Sequence, residues 1–201
     1  MKCTTLLALP AALLCLGAHA AEAIDPAKLS EKAITLHEVH SKAEPKGKAF
    51  VAATIIAAPM ARLCAIIQDY AAYPGFMPSV SHTALSQAAG GNPLVDMTLK
   101  LPLGKVKKYR LEMTPKVSAQ QCRLAWYMVP SAGLKPEETI AGTDGYWQLS
   151  PVPGDSGRTV VQYYVYTDPG PVPLGAGWIV DSMSKDSLPK TLEALRARAA
   201  R

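Results

Sequence analysis

The sequence has few of the features that usually identify a catalytic or metal-binding protein. It has 201 residues but only 4 histidines and 4 cysteines. His37 and His40 lie in a stretch that reads as extended, and no cysteine or carboxylate pattern joins them as zinc ligands require. No Ser/His/Asp set and no glycine-rich nucleotide loop stands out. The sequence therefore predicts no metal ion, no cofactor and no catalytic residue.

The sequence also lacks a hydrophobic run long enough to cross a membrane. A spanning helix needs about 20 apolar residues, whereas the run near the N-terminus extends only from Leu6 to Leu16. This run follows Met1-Lys2 and precedes Ala18-His19-Ala20, an arrangement typical of a secretory signal peptide cleaved near Ala20. We therefore expect residues 1–20 to be removed and the mature protein to be periplasmic or secreted.

Cysteine is scarce in the expected mature protein, where only Cys64 and Cys122 remain. An oxidising compartment would permit them to pair, but the sequence does not show whether their Cα atoms come within disulfide reach. Because free cysteine is among the most buried residue types, two buried thiols are the favoured interpretation, with pairing left open.

Charge is modest, with 18% charged residues and a net charge of +5. The basic residues nevertheless cluster in one predicted hairpin, at Lys100, Lys105, Lys107, Lys108, Arg110 and Lys116. Because a basic side chain near an anionic bilayer contributes about 1 kcal/mol, transient membrane contact through Lys105, Lys107 and Lys108 is one interpretation. A solvated sheet face is the simpler one. The export signal and the lack of interleaved aromatic residues argue against nucleic acid as a partner.

The middle of the chain shows alternation of apolar and polar side chains with a period of two. Val95, Met97, Leu99 and Leu101 alternate with Asp96, Thr98 and Lys100, and four later segments continue the pattern. Such alternation is typical of an antiparallel sheet that is covered on one face.

Helices are predicted on either side of this sheet. A strand at Phe50–Ala58 precedes a short helix that begins with Pro59, and a second short turn follows at Tyr70–Pro78. A long final helix is predicted over Ala176–Ala199, with a bend near Ser187 caused by Pro189. We divide the chain into a signal peptide at 1–20, an N-terminal extension with an edge strand at 21–46, and one α+β domain at 47–201.

Several short sequences within the domain occur in a familiar order. They are Ala57-Ala58-Pro59, Asp69-Tyr70, Tyr73-Pro74-x-Phe76-Met77-Pro78, Gly145-x-Trp147-x-Leu149, Asp168-Pro169-Gly170 and Ser187-Leu188-Pro189. Together with the order of the elements, they resemble the START-like branch of the helix-grip (SRPBCC) superfamily, the polyketide cyclase and coenzyme-Q-binding group. The resemblance extends from Lys48 to the C-terminus. It implies a curved antiparallel sheet of about six to seven strands wrapped around the long C-terminal helix, with two short helices after the first strand.

The resemblance also implies a hydrophobic cavity between the sheet and the final helix. Methionine and aromatic side chains suit a surface that adapts to a bulky ligand. The candidate ligand-binding residues are therefore Tyr73, Phe76, Met77, Met97, Tyr109, Met113, Trp126, Met128, Trp147, Tyr163, Trp178, Ile179 and Met183. The simpler alternative for any one of them is ordinary core packing.

Two functions are compatible with such a cavity. The first is an exported protein that binds or transfers a lipid-like molecule, such as a fatty acyl chain, an isoprenoid quinone or a polycyclic terpenoid, which would pass beneath the loop at 168–178. The second is a cyclase or aromatase acting in the same cavity. The second has less support, because Asp69, Asp144, Asp168 and Asp181 read better as solvated caps and turns.

Overall fold

The computed structural model describes residues 24–39, 47–170 and 185–201. The strands in this part of the chain are β1 Thr35–Val39, β2 Lys48–Ile56, β3 Val80–Gln87, β4 Pro93–Lys100, β5 Val106–Val117, β6 Cys122–Val129, β7 Gly142–Val152 and β8 Asp155–Asp168. The helices are α1 Met60–Gln68 and α2 Ser187–Ala199, and short 3-10 turns occur at Pro26–Lys28, Tyr70–Gly75, Pro102–Gly104 and Pro136–Glu138. None of the described helices has both the length and the apolar character that crossing a bilayer requires.

The strands form one 8-stranded sheet in the order β1-β2-β8-β7-β6-β5-β4-β3. Every neighbouring pair is antiparallel, and β3 to β8 follow one another as a meander. Helix α1 and the 3-10 turn at Tyr70–Gly75 follow β2, and α2 contacts both α1 and β2. The predicted α+β helix-grip architecture is thus confirmed.

The sheet has more strands than the sequence predicted, because β3 was missed. This strand forms one edge of the sheet, and most of its residues after Val80 are partly or fully exposed. An edge strand without a buried face carries no apolar alternation, so its sequence does not reveal it. At the other edge, β1 pairs with β2 and lies within the predicted N-terminal extension.

Helix α2 buries one apolar stripe against the rest of the domain. Leu188, Leu192 and Leu195 recur at helical spacing and are fully buried. The helix begins at Ser187, so Pro189 lies in the first turn, where a missing backbone N–H is tolerated. The predicted helix start at Ala176 lies outside the described residues.

A disulfide bond joins Cys64 of α1 to Cys122 at the start of β6, with a Cα–Cα distance of 6.0 Å. The favoured interpretation of two free thiols is therefore wrong. Helix α1 packs against β6, β7 and β8, which brings together two cysteines 58 residues apart in the sequence. Their proximity depends on this tertiary packing, which spacing in a single sequence does not encode.

Candidate functional site

A cavity of about 100 Å³ lies between the curved sheet and the first turns of α2. Strands β4 to β8 supply most of its wall, Tyr73 and the segment 77–80 supply one side, and Ser187, Leu188 and Thr191 of α2 cover it. It therefore occupies the position between sheet and helix that the resemblance implied.

Most of the described candidate residues surround this cavity. They are Tyr73, Met77, Met97, Tyr109, Met113, Trp126, Trp147 and Tyr163. The lining also includes apolar residues that the sequence analysis did not single out, namely Leu99, Leu101, Leu111, Ile140 and Val165. Alternation along the strands placed the leucines and Val165 on the same face, whereas Ile140 lies just before β7. Aliphatic side chains of this kind do not distinguish a cavity from a packed core. Ligand contact by any of them stays a prediction.

Two candidates lie elsewhere. Phe76 comes after the turn that carries Tyr73, and its ring faces Arg198 near the C-terminal end of α2, with 6.0 Å between the guanidinium carbon and the ring centroid. The cavity is at the opposite end of that helix. Met128 lies beyond the last β6–β7 residue pair, at Tyr127 and Asp144, and lines a shallow groove where the two strands separate. The remaining candidates, Trp178, Ile179 and Met183, fall outside the described residues.

The cavity wall is built from side chains that lie directly opposite one another on neighbouring strands. The pairs are Met97–Tyr109, Met113–Trp126 and Trp147–Tyr163. Residues paired in this way project from the same face of the sheet and contact each other. The Trp147 and Tyr163 rings stack with centroids 3.9 Å apart, and Trp126 is tilted against Tyr163 at 5.7 Å. Three aromatic rings from three strands thus form a continuous floor.

Gly145 makes this aromatic floor sterically possible. It lies opposite Trp126 in the sheet, and a Cβ atom at Gly145 would overlap both the Trp126 ring and the carbonyl oxygen of Tyr164. Gly145 belongs to the Gly145-x-Trp147-x-Leu149 motif, but the sequence alone does not indicate this role. Its φ is not positive, so it is the close approach of the indole and of the Tyr164 carbonyl oxygen that requires glycine.

Hydroxyl groups provide the side-chain polarity of the described lining. Among the described lining residues there is no Asp, Glu, Lys, Arg or His. The Tyr73 hydroxyl donates a hydrogen bond to the Ile67 carbonyl, and the Thr143 hydroxyl donates to the Tyr166 carbonyl at 2.7 Å. Burial raises the pKa of Tyr109 and of Tyr163 far above neutrality, so both are uncharged phenols. The described wall is therefore mostly apolar, carries no charge and contains a few hydroxyl groups that can form hydrogen bonds.

The described residues provide no metal site at the cavity. Within residues 24–39, 47–170 and 185–201, no three His, Cys, Asp or Glu side chains are close enough to hold a metal ion. The described lining also contains no general acid or base that titrates near neutral pH, because it has no Asp, Glu, Lys, Arg or His.

Two basic side chains of the β4–β5 hairpin bind other groups of the same protein. The Lys107 ammonium donates to the Glu137 carbonyl at 3.0 Å and also to the Thr139 carbonyl. Burial lowers the pKa of Lys107. Arg110 forms a two-point ion pair with Asp96, with N–O distances of 2.8 and 2.7 Å. These two cations are thus held by the protein itself.

An exposed leucine occupies the tip of the same hairpin. Leu103 is 84% exposed and has a left-handed backbone with φ of 59°, a conformation uncommon for residues other than glycine. Lys105 and Lys108 are exposed beside it. Leu99 and Leu101, just before the tip, line the cavity, so the tip adjoins one end of the cavity.

Comparison with known proteins identifies the fold. No family model matches the chain, and no curated protein matches its sequence. Its structure is similar to a STAR-related lipid transfer protein from Xanthomonas axonopodis, with a TM-score of 0.67, 19% identity, and coverage of 84% of this chain and 94% of that chain. It is also similar to human StAR-related lipid transfer protein 5, with a TM-score of 0.70, 12% identity, and coverage of 83% and 82%.

A third similar structure belongs to a protein with a different kind of name. The di-domain ARO/CYC protein StfQ of the steffimycin biosynthetic pathway has a TM-score of 0.54 and 16% identity, with coverage of 76% of this chain and 50% of that chain. At these identities the similarities establish the fold, which is the START-like helix-grip fold. Because one fold hosts unrelated functions, the activity of this chain has to be argued from its own cavity.

Proposed function

We propose that this protein is exported and that it binds and transfers a hydrophobic, lipid-like molecule held between the sheet and α2. The observation that carries the proposal is the apolar cavity, whose described lining has no charged side chain. Removing apolar ligand surface from water contributes about 25 cal/mol per Å², so such a wall favours a ligand that is itself poorly soluble. Two structurally similar proteins are named as lipid transfer proteins.

The cavity has to expand when such a ligand binds. Its volume of about 100 Å³ is smaller than the roughly 300–1,000 Å³ of ordinary ligand pockets. Met77, Met97 and Met113 line it, and unbranched methionine side chains change rotamer and repack readily. We expect these side chains to move aside for the ligand.

Two features support export as part of the proposal. The N-terminal sequence is typical of a secretory signal peptide, and the Cys64–Cys122 disulfide belongs to a class of bond that persists mainly in oxidising compartments. A carrier of poorly soluble molecules has a clear physical task in the aqueous space outside the cytoplasmic membrane. The cyclase alternative has less support, because the described cavity wall lacks acid and base side chains.

The first test is to ask what the protein carries. Native mass spectrometry of protein purified from the cells that make it, followed by organic extraction, should reveal a stoichiometric apolar passenger. The empty protein should bind the neutral fluorescent probe N-phenylnaphthylamine saturably. Leu99→Trp should weaken this binding about tenfold, because the indole would occupy space that an apolar ligand needs. Leu85→Trp is the matched control, since Leu85 is 53% exposed on the edge strand β3.

A protein without a passenger that also bound no probe would contradict the proposal. Probe binding that Leu99→Trp and Leu85→Trp weakened equally would place the binding site outside the cavity. Either result would favour a partner-binding role instead.

Docking at an anionic membrane through the β4–β5 tip is part of the same proposal. Leu103 presents an exposed apolar side chain, and Lys105 and Lys108 flank it with positive charge. Apolar insertion together with basic side chains is the usual combination for reversible membrane contact. Lys107 is not part of the docking surface, because its ammonium is bound by the protein's own carbonyls. Docking in this way would bring one end of the cavity to the bilayer.

Leu103→Asn is expected to weaken binding to vesicles containing phosphatidylglycerol about tenfold, because a buried leucine contributes about 1.5–3 kcal/mol. Asparagine tolerates the left-handed backbone at this position, so the hairpin should keep its shape. The double variant Lys105→Glu with Lys108→Glu should weaken vesicle binding to a similar extent at low salt. At high salt its binding should equal that of the native protein, because salt screens the charges. Vesicle co-sedimentation measures both.

The opposite end of β5 provides matched controls. Val117 is 59% exposed and Lys116 lies beside it, so Val117→Asn and Lys116→Glu change the same chemistry away from the tip. Equal losses at the two ends of the strand would contradict docking through the tip.

A further inference from the structure

Two tyrosine hydroxyls in the cavity are without a hydrogen-bond partner among the residues that the structure describes. They belong to Tyr109 on β5 and Tyr163 on β8, and both side chains line the cavity. Tyr73 differs, because its hydroxyl donates to the Ile67 carbonyl. Neither hydroxyl is among the fully buried polar atoms that lack a partner, so both are accessible from the cavity and available to bond to a molecule inside it.

The positions of these two side chains favour a shared task. Stacking on Trp147, with 3.9 Å between ring centroids, holds the Tyr163 ring in place. Tyr109 lines the same cavity of about 100 Å³ as Tyr163, so both phenols face one small volume, and burial raises the pKa of each of them. Both are neutral hydrogen-bond donors over the whole physiological pH range. A single ligand oxygen, with two lone pairs, is a fitting partner for them.

The charge of the wall restricts the ligand further. The described lining has no Lys, Arg or His to neutralise an anion, and the sequence of residues 171–184 contains none either. A carboxylate or phosphate placed there would be a buried charge without a counter-charge, which is strongly unfavourable.

We propose that the cavity takes a neutral hydrophobic molecule whose carbonyl or hydroxyl oxygen accepts hydrogen bonds from Tyr109 and Tyr163. This inference rests on the proposed function of the cavity and narrows it. Among lipid-like molecules it favours neutral quinones, alcohols, ketones and esters, and it disfavours free fatty acids and lipids whose charged head group enters the cavity.

The test compares three probes that share one apolar body: acetylnaphthalene, its oxygen-free analogue isopropylnaphthalene, and the naphthoate anion. The native protein should bind the ketone about threefold to tenfold more tightly than isopropylnaphthalene, as expected for hydrogen bonds to a neutral oxygen. Naphthoate should bind more weakly than either. Tyr109→Phe and Tyr163→Phe should each lower the ratio of the ketone affinity to the isopropylnaphthalene affinity, because each removes a hydrogen-bond donor and keeps the aromatic ring. Calorimetric titration measures all of these affinities.

Tyr146→Phe is the matched control. Tyr146 neighbours Trp147 on β7, but its ring lies outside the cavity, stacked on Tyr164 and covered by the Arg123 guanidinium at 3.8 Å. Its loss should not alter the preference. Thermal midpoints should not fall in Tyr109→Phe or Tyr163→Phe, because neither hydroxyl forms a hydrogen bond within the described structure.

The outcomes separate this inference from the proposed function. Equal binding of ketone and hydrocarbon, or a preference that survives both phenylalanine substitutions, would overturn the inference and leave an apolar binding site in place. Tightest binding of naphthoate would overturn the requirement for a neutral ligand. Failure of all three probes to bind would overturn the proposed function, and the inference with it.

Discussion

Replacing Cys64 and Cys122 together by alanine is expected to lower the free energy of unfolding by about 4 kcal/mol. The disulfide closes a loop of 58 residues that contains two 3-10 turns, Tyr70–Gly75 and Pro102–Gly104, and strands β3 to β5. Without it, the unfolded chain regains the conformational freedom of that loop, which is the main source of the stabilisation in the chain-entropy account. For a domain of this size the loss corresponds to a fall of roughly 10 °C in the thermal midpoint.

Urea or thermal unfolding of the oxidised protein, the reduced protein and the double alanine variant measures this effect. Reduction should destabilise the native protein and leave the double variant unchanged, which separates the cross-link from the packing of the two buried cysteines. Equal stability of the oxidised and reduced proteins would contradict the prediction. The bond joins α1 to β6 and does not line the cavity. We therefore expect the reduced protein to bind the probe normally until the temperature approaches its own unfolding midpoint.

The cavity wall could be predicted from the sequence because a strand alternates its side chains between two faces. Met97 and Tyr109 belong to different strands, yet the period of two assigned each to the apolar face of its own strand. In the structure they lie directly opposite each other. The resemblance to a known fold supplied what the pattern could not, namely that a helix covers this face and leaves space beneath it.

What the sequence did not reveal depends on tertiary packing. The pairing of Cys64 with Cys122 requires α1 to lie across β6, and the placement of Tyr109 and Tyr163 on one cavity requires the whole curved wall. Leu103 reads as an unremarkable apolar residue until the hairpin places it at an exposed tip. Conversely, Lys107 reads as a surface cation, although the Glu137 and Thr139 carbonyls bind its ammonium. Alternation identifies faces, but it does not identify partners.

Gly145→Ala is expected to destabilise the protein by about 3 kcal/mol, at the upper end of overpacking costs. The added methyl group would overlap the Trp126 ring and the Tyr164 carbonyl oxygen. The indole borders the cavity, so it can yield into that space. We therefore expect the substitution to weaken binding of N-phenylnaphthylamine as well as to lower the free energy of unfolding, as measured by titration and by urea denaturation.

Gly142→Ala, on the same strand β7, is the matched control for this prediction. No atom lies within 4 Å of a Cβ placed at Gly142, and its φ is not positive, so alanine there should stabilise the protein by about 0.4–1 kcal/mol through the unfolded state. If the free energy of unfolding falls in Gly145→Ala and rises in Gly142→Ala, the loss at Gly145 comes from the steric contact with Trp126 and not from reduced backbone freedom. Adding Trp126→Leu to Gly145→Ala should restore only part of the stability, because the overlap with the Tyr164 carbonyl remains. Complete recovery would mean that the indole alone requires the glycine, and destabilisation at both glycines would contradict the steric argument.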